Sequence, residues 1–261
     1  MTADSTSTPA SPQGSVTTEI ADGVATVRFF HPKGNSLPAT LLARLAESVD
    51  ALAEDRSAHA IVLRSEGTGP FCAGASFDEL TRITDAEEGR EFFMGFARVV
   101  LAMTRSPKLV IARVHGRIAG GGIGIVAASD YAVATTGAAA RLSELAVGIG
   151  PFVVGPVIEK KVGLAAFQQM AIDVEWRDAT WCERHGLYAR VCDDVDSLDD
   201  AVATLARKLA ASNPDAMTRM KRIFWEGTDH WDRLLAERAA MSGTLVLGDH
   251  TRRAIEAFSK R

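Results

Sequence analysis

A cluster of glycines followed by an isolated acid is the part of the sequence best suited to chemistry. Gly120, Gly121 and Gly122 are consecutive, Gly124 follows closely, and Glu144 comes later between apolar neighbours. The N–H groups at the start of a helix have no partner inside the helix, and the helix dipole there favours negative charge. Because glycine lets a ligand approach the main chain closely, such a turn could hold an oxygen that gains charge during a reaction. The pattern predicts an oxyanion-binding turn with a carboxylate base nearby.

Glu144 is the candidate base. Its neighbours Leu142, Leu145 and Val147 are apolar, and burial among them would raise the pKa of the carboxyl group. A general base works best when its pKa is near the operating pH. The alternative is an ordinary surface acid or a helix cap, which is the usual role of an acid just after a strand.

A second loop, residues 71–80, could present another N–H group at Gly74 and Ala75, where it turns into a short helix. Ser76 followed by Glu79 predicts a capping box, which would make this turn purely structural. The glycines at 120–124 have a similar alternative, which is close packing of a helix against a strand. They also match a dinucleotide-binding fingerprint, but they do not open directly off their strand and no second mononucleotide-binding half follows.

The remaining reactive side chains give weaker signals. A turn role is favoured for His115, which has no acid paired with it in the sequence. Cys182, His185 and Cys192 lack a fourth ligand and metal-like spacing, so no metal site is predicted. A serine hydrolase is not supported, since the segment around Ser76 is not a nucleophile elbow.

The bulk composition limits the class of protein. The 261 residues are 47% hydrophobic and 24% charged, which predicts a packed globular core. The net charge of −4 argues against nucleic acid as a partner. No apolar run is long enough to span a bilayer, and the start of the chain does not resemble a secretory signal. The three cysteines do not pair evenly, so we expect reduced thiols in a cytoplasmic protein.

The elements that must position these residues alternate between strand and helix. Residues 17–20 and 24–30 predict a hairpin around Asp22-Gly23. A helix from Pro38, a strand at 59–64, a helix at 88–103 and a strand at 109–114 follow in that order. This order favours an α/β fold with a parallel sheet. Beyond residue 153 the pattern is almost wholly helical. We therefore predict a flexible tail at 1–15, a core with the site at 16–195, and a helical region at 196–261.

Three motifs along the chain, in order, resemble the enoyl-CoA hydratase/isomerase family, also called the crotonase superfamily. The resemblance runs from about residue 17 to the C-terminus. Its most specific parts are Phe71-Cys72-Ala73-Gly74-Ala75, His115-Gly116-x-x-Ala119-Gly120-Gly121-Gly122 and Leu142-Ser143-Glu144-x-x-x-Gly148-x-x-Pro151.

The resemblance implies a crotonase-like spiral of ββα turns, followed by C-terminal helices that build homotrimers or dimers of trimers. It implies an acyl-CoA thioester as substrate, with coenzyme A as part of that substrate and no separate cofactor. The thioester oxygen would lie between the N–H groups of Ala75 and Gly121, with Glu144 as acid and base. Phe258 and Arg261 match positions that cover the coenzyme A of a neighbouring subunit, where Arg261 could pair with a phosphate. The implied substrate-binding residues are Ala73, Gly74, Ser76, Phe77, Gly120, Gly122, Gly124, Phe152, Phe258 and Arg261.

Several positions depart from the family pattern. Hydratases of the family use two glutamates, of which the second matches Glu144 and the first falls on Gly124. Phe152 replaces a glycine that is common in hydratases, Ser76 replaces a frequent Asp, and Asp78 replaces a basic contact to coenzyme A. Because a single carboxylate can move a double bond, the sequence favours Δ3,Δ2-enoyl-CoA isomerisation. Enoyl-CoA hydratase, acyl-CoA decarboxylase and a non-catalytic acyl-CoA-binding trimer are the alternatives.

Overall fold

The computed structural model describes residues 14–259, and the side chains of residues 14–257. Its main sheet has six strands in the order β1-β2-β3-β4-β6-β8, and β5 and β7 form a small second sheet. The strands are β1 (Ser15–Ala21), β2 (Val24–Phe30), β3 (Ala60–Ser65), β4 (Leu109–Val114), β5 (Ile118–Ala119), β6 (Tyr131–Thr135), β7 (Ala140–Arg141) and β8 (Arg190–Cys192). The helices are α1 (Ala39–Glu54), α2 (Phe77–Leu80), α3 (Ala86–Arg105), α4 (Gly121–Ala127), α5 (Gly155–Val162), α6 (Leu164–Asp173), α7 (Ala179–Arg184), α8 (Val195–Ala210), α9 (Pro214–Phe224), α10 (Trp231–Leu245) and α11 (Asp249–Ser259).

The first two strands form the predicted antiparallel hairpin. Asp22 and Gly23 both adopt positive φ angles, 51° and 80°, as a tight turn between twisted strands requires. Every other neighbouring pair in the main sheet is parallel within the described residues. The prediction of an α/β fold with a parallel sheet is confirmed. Ser15 lies in β1, while residues 1–13 of the predicted tail lie outside the described part of the chain.

A second layer of short extended segments runs beside the main sheet. After each of the strands β2, β3, β4 and β6 the chain makes one such segment before the next helix. These segments pair in parallel at Leu37–Ala75 and Cys72–Ile118, and β5 pairs with β7. This repeated arrangement is the ββα spiral that the family resemblance implied. The second layer brings the loop at Ala75 beside the start of α4, which is the geometry that the proposed oxyanion turn needs.

The capping box predicted for Ser76 and Glu79 is wrong. The Ser76 side chain makes no capping hydrogen bond to α2 among the described residues. The Glu79 carboxylate instead accepts a hydrogen bond of 2.7 Å from the N–H of Ala39, the first residue of α1. Pro38, the residue before α1, has no side-chain acceptor that could cap the helix. Glu79 therefore supplies the cap from a distant part of the chain. The bond ties the loop of Ala75 to the first helix.

The C-terminal helices pack back onto the core. Helix α8 covers one face of the main sheet, where Leu198 and Val202 lie against Val62, Ile111 and Val133. Helix α10 crosses α3 where two glycines meet, since a Cβ on Gly89 would lie 2.7 Å from the Cα of Gly243. No helix in the described range is long and apolar enough to cross a membrane. The division at residue 195 coincides with the start of α8 and stays a prediction.

Candidate active site

One cleft brings the two glycine-containing turns and Glu144 together. Its empty volume is about 580 Å³, counting the open mouth. Helix α3 and the segment at residues 149–154 form its walls, and Ser242 of α10 contributes from the C-terminal region. The described lining consists of Ala73, Gly74, Ala75, Phe77, Leu80, Phe93, Phe96, Gly120, Gly121, Ser143, Glu144, Val147, Ile149, Gly150, Pro151, Phe152, Val153, Val154 and Ser242.

The first turn presents the N–H group of Ala75. Gly74 has a φ of 90°, and a Cβ there would lie 2.9 Å from the carbonyl oxygen of Ala119, so the position requires glycine. The carbonyl of Gly74 accepts from Leu37 at 2.8 Å, and the N–H of Ser76 donates back to Leu37 at 3.2 Å. The Ala75 N–H between these bonds donates to no acceptor within residues 14–259. It is therefore available to a ligand in the cleft.

The second turn presents the N–H group of Gly121. Gly120 donates to the carbonyl of Arg141 at 2.9 Å, which fixes the entry into α4. Gly121 is the first residue of α4, so its N–H has no partner inside the helix, and none elsewhere in the described chain. A Cβ on Gly121 would lie 2.3 Å from Cε1 of Phe96, which excludes any side chain at this position while Phe96 stays in place.

Gly122 and Gly124 do not belong to the described lining of the cleft. A Cβ on Gly122 would lie 2.8 Å from Sγ of Cys72, and one on Gly124 would lie 2.4 Å from Cγ1 of Val154. Close packing of α4, the structural alternative for this glycine cluster, accounts for both positions. Ser76 is buried and bonded through its main chain, and it is also absent from the described lining.

Glu144 stands at the start of a 3-10 turn, Leu145–Val147, and lines the cleft. Its Oε1 lies near Gly120, 3.4 Å from where a Cβ on that glycine would be. Its Oε2 is enclosed and has no hydrogen-bond partner in the part of the chain described. Burial raises the pKa of Glu144 to about 7, against a smaller opposing effect of nearby N–H groups. Leu142 and Val147 are buried beside it as predicted, whereas Leu145 is exposed and does not enclose the carboxyl group.

Aromatic side chains make the rest of the cleft apolar. Phe77, Phe93, Phe96 and Phe152 all line it. The Phe152 ring packs on Gly150, where a Cβ would lie 2.4 Å from Cζ of that ring. An apolar chamber next to two N–H donors and one carboxylate suits a substrate with a carbonyl group and a hydrocarbon chain.

Other predicted residues lie elsewhere. Phe258 and Arg261 lie outside the residues whose side chains are described. His115 is not part of the described cleft lining, and its turn role stays a prediction. Asp78, at the position of a basic coenzyme A contact in the family, forms an ion pair with Lys33, which lowers the pKa of Asp78. No sequence pattern pointed to Lys33, because it lies in a loop distant from Asp78 along the chain.

No group of three or more His, Cys, Asp or Glu side chains within the described residues could hold a metal ion. All three cysteines are buried and unpaired with one another. Burial raises the pKa of Cys72 to about 12, so this thiol next to α4 is a packing residue and no nucleophile.

The fold and the site define an enzyme of the crotonase superfamily. A family model for enoyl-CoA hydratase/isomerase matches residues 19–260, and the chain belongs to this family. Methylglutaconyl-CoA hydratase of Rattus norvegicus is 29% identical over 233 residues, which cover 87% of this chain and 74% of that protein. 4-Chlorobenzoyl coenzyme A dehalogenase-2 of an Arthrobacter species is 29% identical over 218 residues, which cover 82% of this chain and 78% of that protein.

A solved structure of an enoyl-CoA hydratase from Mycobacterium smegmatis superposes with a TM-score of 0.77 at 30% identity. The match covers 94% of this chain and 96% of that one, so the likeness includes both the spiral core and the C-terminal helices.

Proposed function

We propose that this enzyme moves the double bond of a 3-enoyl-CoA into conjugation with the thioester, which makes it a Δ3,Δ2-enoyl-CoA isomerase. One observation carries the proposal. Glu144 is the only carboxylate that lines the cleft within the described residues. Isomerisation removes a proton from one carbon and returns it to another, and one carboxylate can perform both transfers.

The cleft supports each step of this reaction. The carboxylate of Glu144 takes a proton from the carbon next to the thioester carbonyl, and the electron pair moves onto the carbonyl oxygen. The N–H groups of Ala75 and Gly121 stabilise the resulting dienolate. Glu144 then gives the proton to the carbon two positions further along, and the dienolate collapses to the conjugated 2-enoyl thioester. No atom is gained or lost.

Hydration would need a second proton-transfer group. In family hydratases that group lies at the position of Gly124. Here the space that a side chain at Gly124 would enter is filled, since its Cβ would lie 2.4 Å from Cγ1 and 2.5 Å from Cβ of Val154. The position of Gly124 therefore carries no second acid and has no room for one.

Adding the missing acid tests this argument. We expect Gly124→Glu alone to destabilise the fold by ~1–3 kcal/mol through overpacking against Val154. Combined with Val154→Gly, the same change should fold and should gain hydration of a 2-enoyl-CoA. The matched control is Gly124→Gln with Val154→Gly, which has the same volume and no acid. Equal hydration by the Glu and Gln double variants would contradict the role of this position.

Removing one N–H donor tests the oxyanion site. Proline is well tolerated at the first residue of a helix, which is where Gly121 lies. Because any side chain there meets Phe96, the change is made in a Phe96→Ala background. We expect Gly121→Pro to turn over ~10²–10³ times more slowly than Gly121→Ala in that background, since only proline loses the donor. Equal turnover by these two folded variants would rule out the Gly121 N–H.

The pH dependence follows from the raised pKa of Glu144. The group must be ionised to accept a proton, so kcat/KM for isomerisation should rise about tenfold per pH unit below the pKa of about 7 and level off above it. Initial rates measured across pH with substrate well below KM give kcat/KM, which reports the titration of the free enzyme. A rate that is constant between mildly acidic and mildly basic pH would exclude a base with this pKa.

Enoyl-CoA hydratase is the second candidate, because the Rattus relative is named a hydratase. Absorbance of the conjugated thioester separates the two reactions, since isomerisation creates it and hydration destroys it. We expect the absorbance to rise faster with a 3-enoyl-CoA than it falls with a 2-enoyl-CoA of equal chain length. The reverse order would favour the hydratase.

We also propose that the C-terminal helices assemble the enzyme as a homotrimer or a dimer of trimers. Exposed apolar side chains on α9 support this, since Ile223 is 67% and Phe224 48% exposed. Ile172 of α6 is 70% exposed as well. Surfaces of this kind are typical of subunit interfaces.

A further inference from the structure

A row of three arginines crosses the main sheet on the side away from the active cleft. Arg28 of β2 is paired in register with Arg64 of β3, which is paired with Arg113 of β4. Neighbouring strands lie about 4.8 Å apart, so the three side chains leave the same face side by side. Like charges directly opposite each other destabilise a sheet unless other charges compensate them.

The compensation within the described chain is incomplete at the middle arginine. Arg28 pairs with Glu19 at 2.9 Å. Arg113 makes two hydrogen bonds to Asp199, at 2.6 and 2.9 Å. Arg64 has only a 3.8 Å contact to that same Asp199, and its buried Nε has no partner among residues 14–259. Burial and the neighbouring Arg113 lower the pKa of Arg64.

A cleft opens over this row, between the sheet and helix α8. Its empty volume is about 930 Å³, counting the mouth, and it shares no lining residue with the active cleft in the described chain. Four arginines and three acids line it, which leaves one positive charge in excess. Val202 and Ala206 of α8 supply an apolar wall opposite the arginines. The charged lining consists of Glu19, Asp22, Arg28, Arg64, Arg113, Asp199 and Arg207.

We propose that this cleft binds a small ligand through an oxyanion, a phosphate or a carboxylate, with Arg64 as its main contact. The planar guanidinium group matches such oxyanions with two parallel hydrogen bonds. A bound oxyanion would give the Arg64 guanidinium group a closer partner than Asp199 at 3.8 Å, and it would cancel the excess charge. The Arg64 side chain is 32% exposed, so solvent and ligand reach it from the cleft.

Ligand-dependent thermal stability of the full chain tests the site. Inorganic phosphate and succinate serve as separate probes, each against sodium chloride at the same ionic strength, and calorimetric titration gives the Kd. We expect at least one probe to bind saturably, and Arg64→Gln to weaken that binding by about tenfold to a hundredfold. A response to phosphate alone, succinate alone or both identifies the oxyanion, and each of these results supports the site.

The matched control is Arg98→Gln, which removes the same charge from α3 outside both clefts. Binding should be unchanged in this control, and acyl-CoA turnover should be unchanged in both variants. Arg64→Lys keeps the charge but loses the planar guanidinium group, so it should also bind the probe weakly. It replaces Arg64→Gln in the test if that variant folds poorly. Absence of saturable binding to either probe, or equal loss in the Arg64 and Arg98 variants, would overturn the proposal.

Discussion

Replacing Glu144 with Gln is expected to slow isomerisation of a 3-enoyl-CoA by ~10²–10⁴, the usual contribution of a positioned acid–base group. The change keeps the size of the side chain and removes its ability to accept a proton. The N–H donors of Ala75 and Gly121 stay in place, so binding of the thioester should change far less than turnover. Steady-state rates from the absorbance of the conjugated product measure both effects.

The same variant carries its own control for folding. Burial raises the pKa of Glu144 to about 7, above its ordinary value, so the folded state holds this proton more tightly than the unfolded state. The contribution of the protonated carboxyl group to the free energy of unfolding is therefore lost as pH rises through 7. Above pH 7, Glu144→Gln removes a buried charge and should melt at the same temperature as the parent or higher. A folded Glu144→Gln protein with parental turnover would eliminate Glu144 as the base.

Replacing Lys221 with Met is expected to lower the free energy of unfolding by about 3–5 kcal/mol, because it leaves a buried carboxylate without its charge partner. The Lys221 side chain is 2% exposed and its Nζ lies 2.9 Å from Oδ2 of Asp130, whose side chain is 5% exposed. The same Nζ donates to the carbonyl of Lys108 at 2.6 Å. The pair joins α9 to the strand region of the core, and burial lowers the pKa of Lys221.

Urea unfolding measures this loss. Lys208→Met, at an exposed position of α8, removes the same charge and should shift stability by no more than about 0.5 kcal/mol. Asp130→Asn in the Lys221→Met background should recover part of the loss, because it removes the unpaired charge. Equal stabilities of the two Lys→Met variants would show that the buried pair does not hold α9 to the core.

Local patterns were enough to predict the framework of the fold. The mostly apolar run at 109–114 became β4 with the predicted bounds, and Asp22-Gly23 formed the predicted turn. The periodic leucines after Pro38 became the buried face of α1. In each case the signal and the structure that it specifies lie within one element.

Contacts between distant segments could not be predicted in this way. Glu79 caps α1 rather than its own helix, and Val154 fills the space beside Gly124. The row of arginines became visible only from the register of β2, β3 and β4. Local spacing does not determine which strand or helix meets which, so sequence patterns carry no information on these pairings. The N–H donors of Ala75 and Gly121 were predicted through the family motifs. The structure shows that the groups next to them are hydrogen-bonded while these two N–H groups have no partner in the described chain.

In the proposed reaction one carboxylate shuttles a proton, and no water is added to the substrate. Its most direct test is the mass of the product formed from a 3-enoyl-CoA in heavy-oxygen water. We predict a product with the mass of the substrate, no heavy oxygen and the absorbance of a conjugated thioester. Recovery of unchanged 3-enoyl-CoA, together with heavy-oxygen-labelled 3-hydroxyacyl-CoA from a 2-enoyl-CoA, would contradict the proposal.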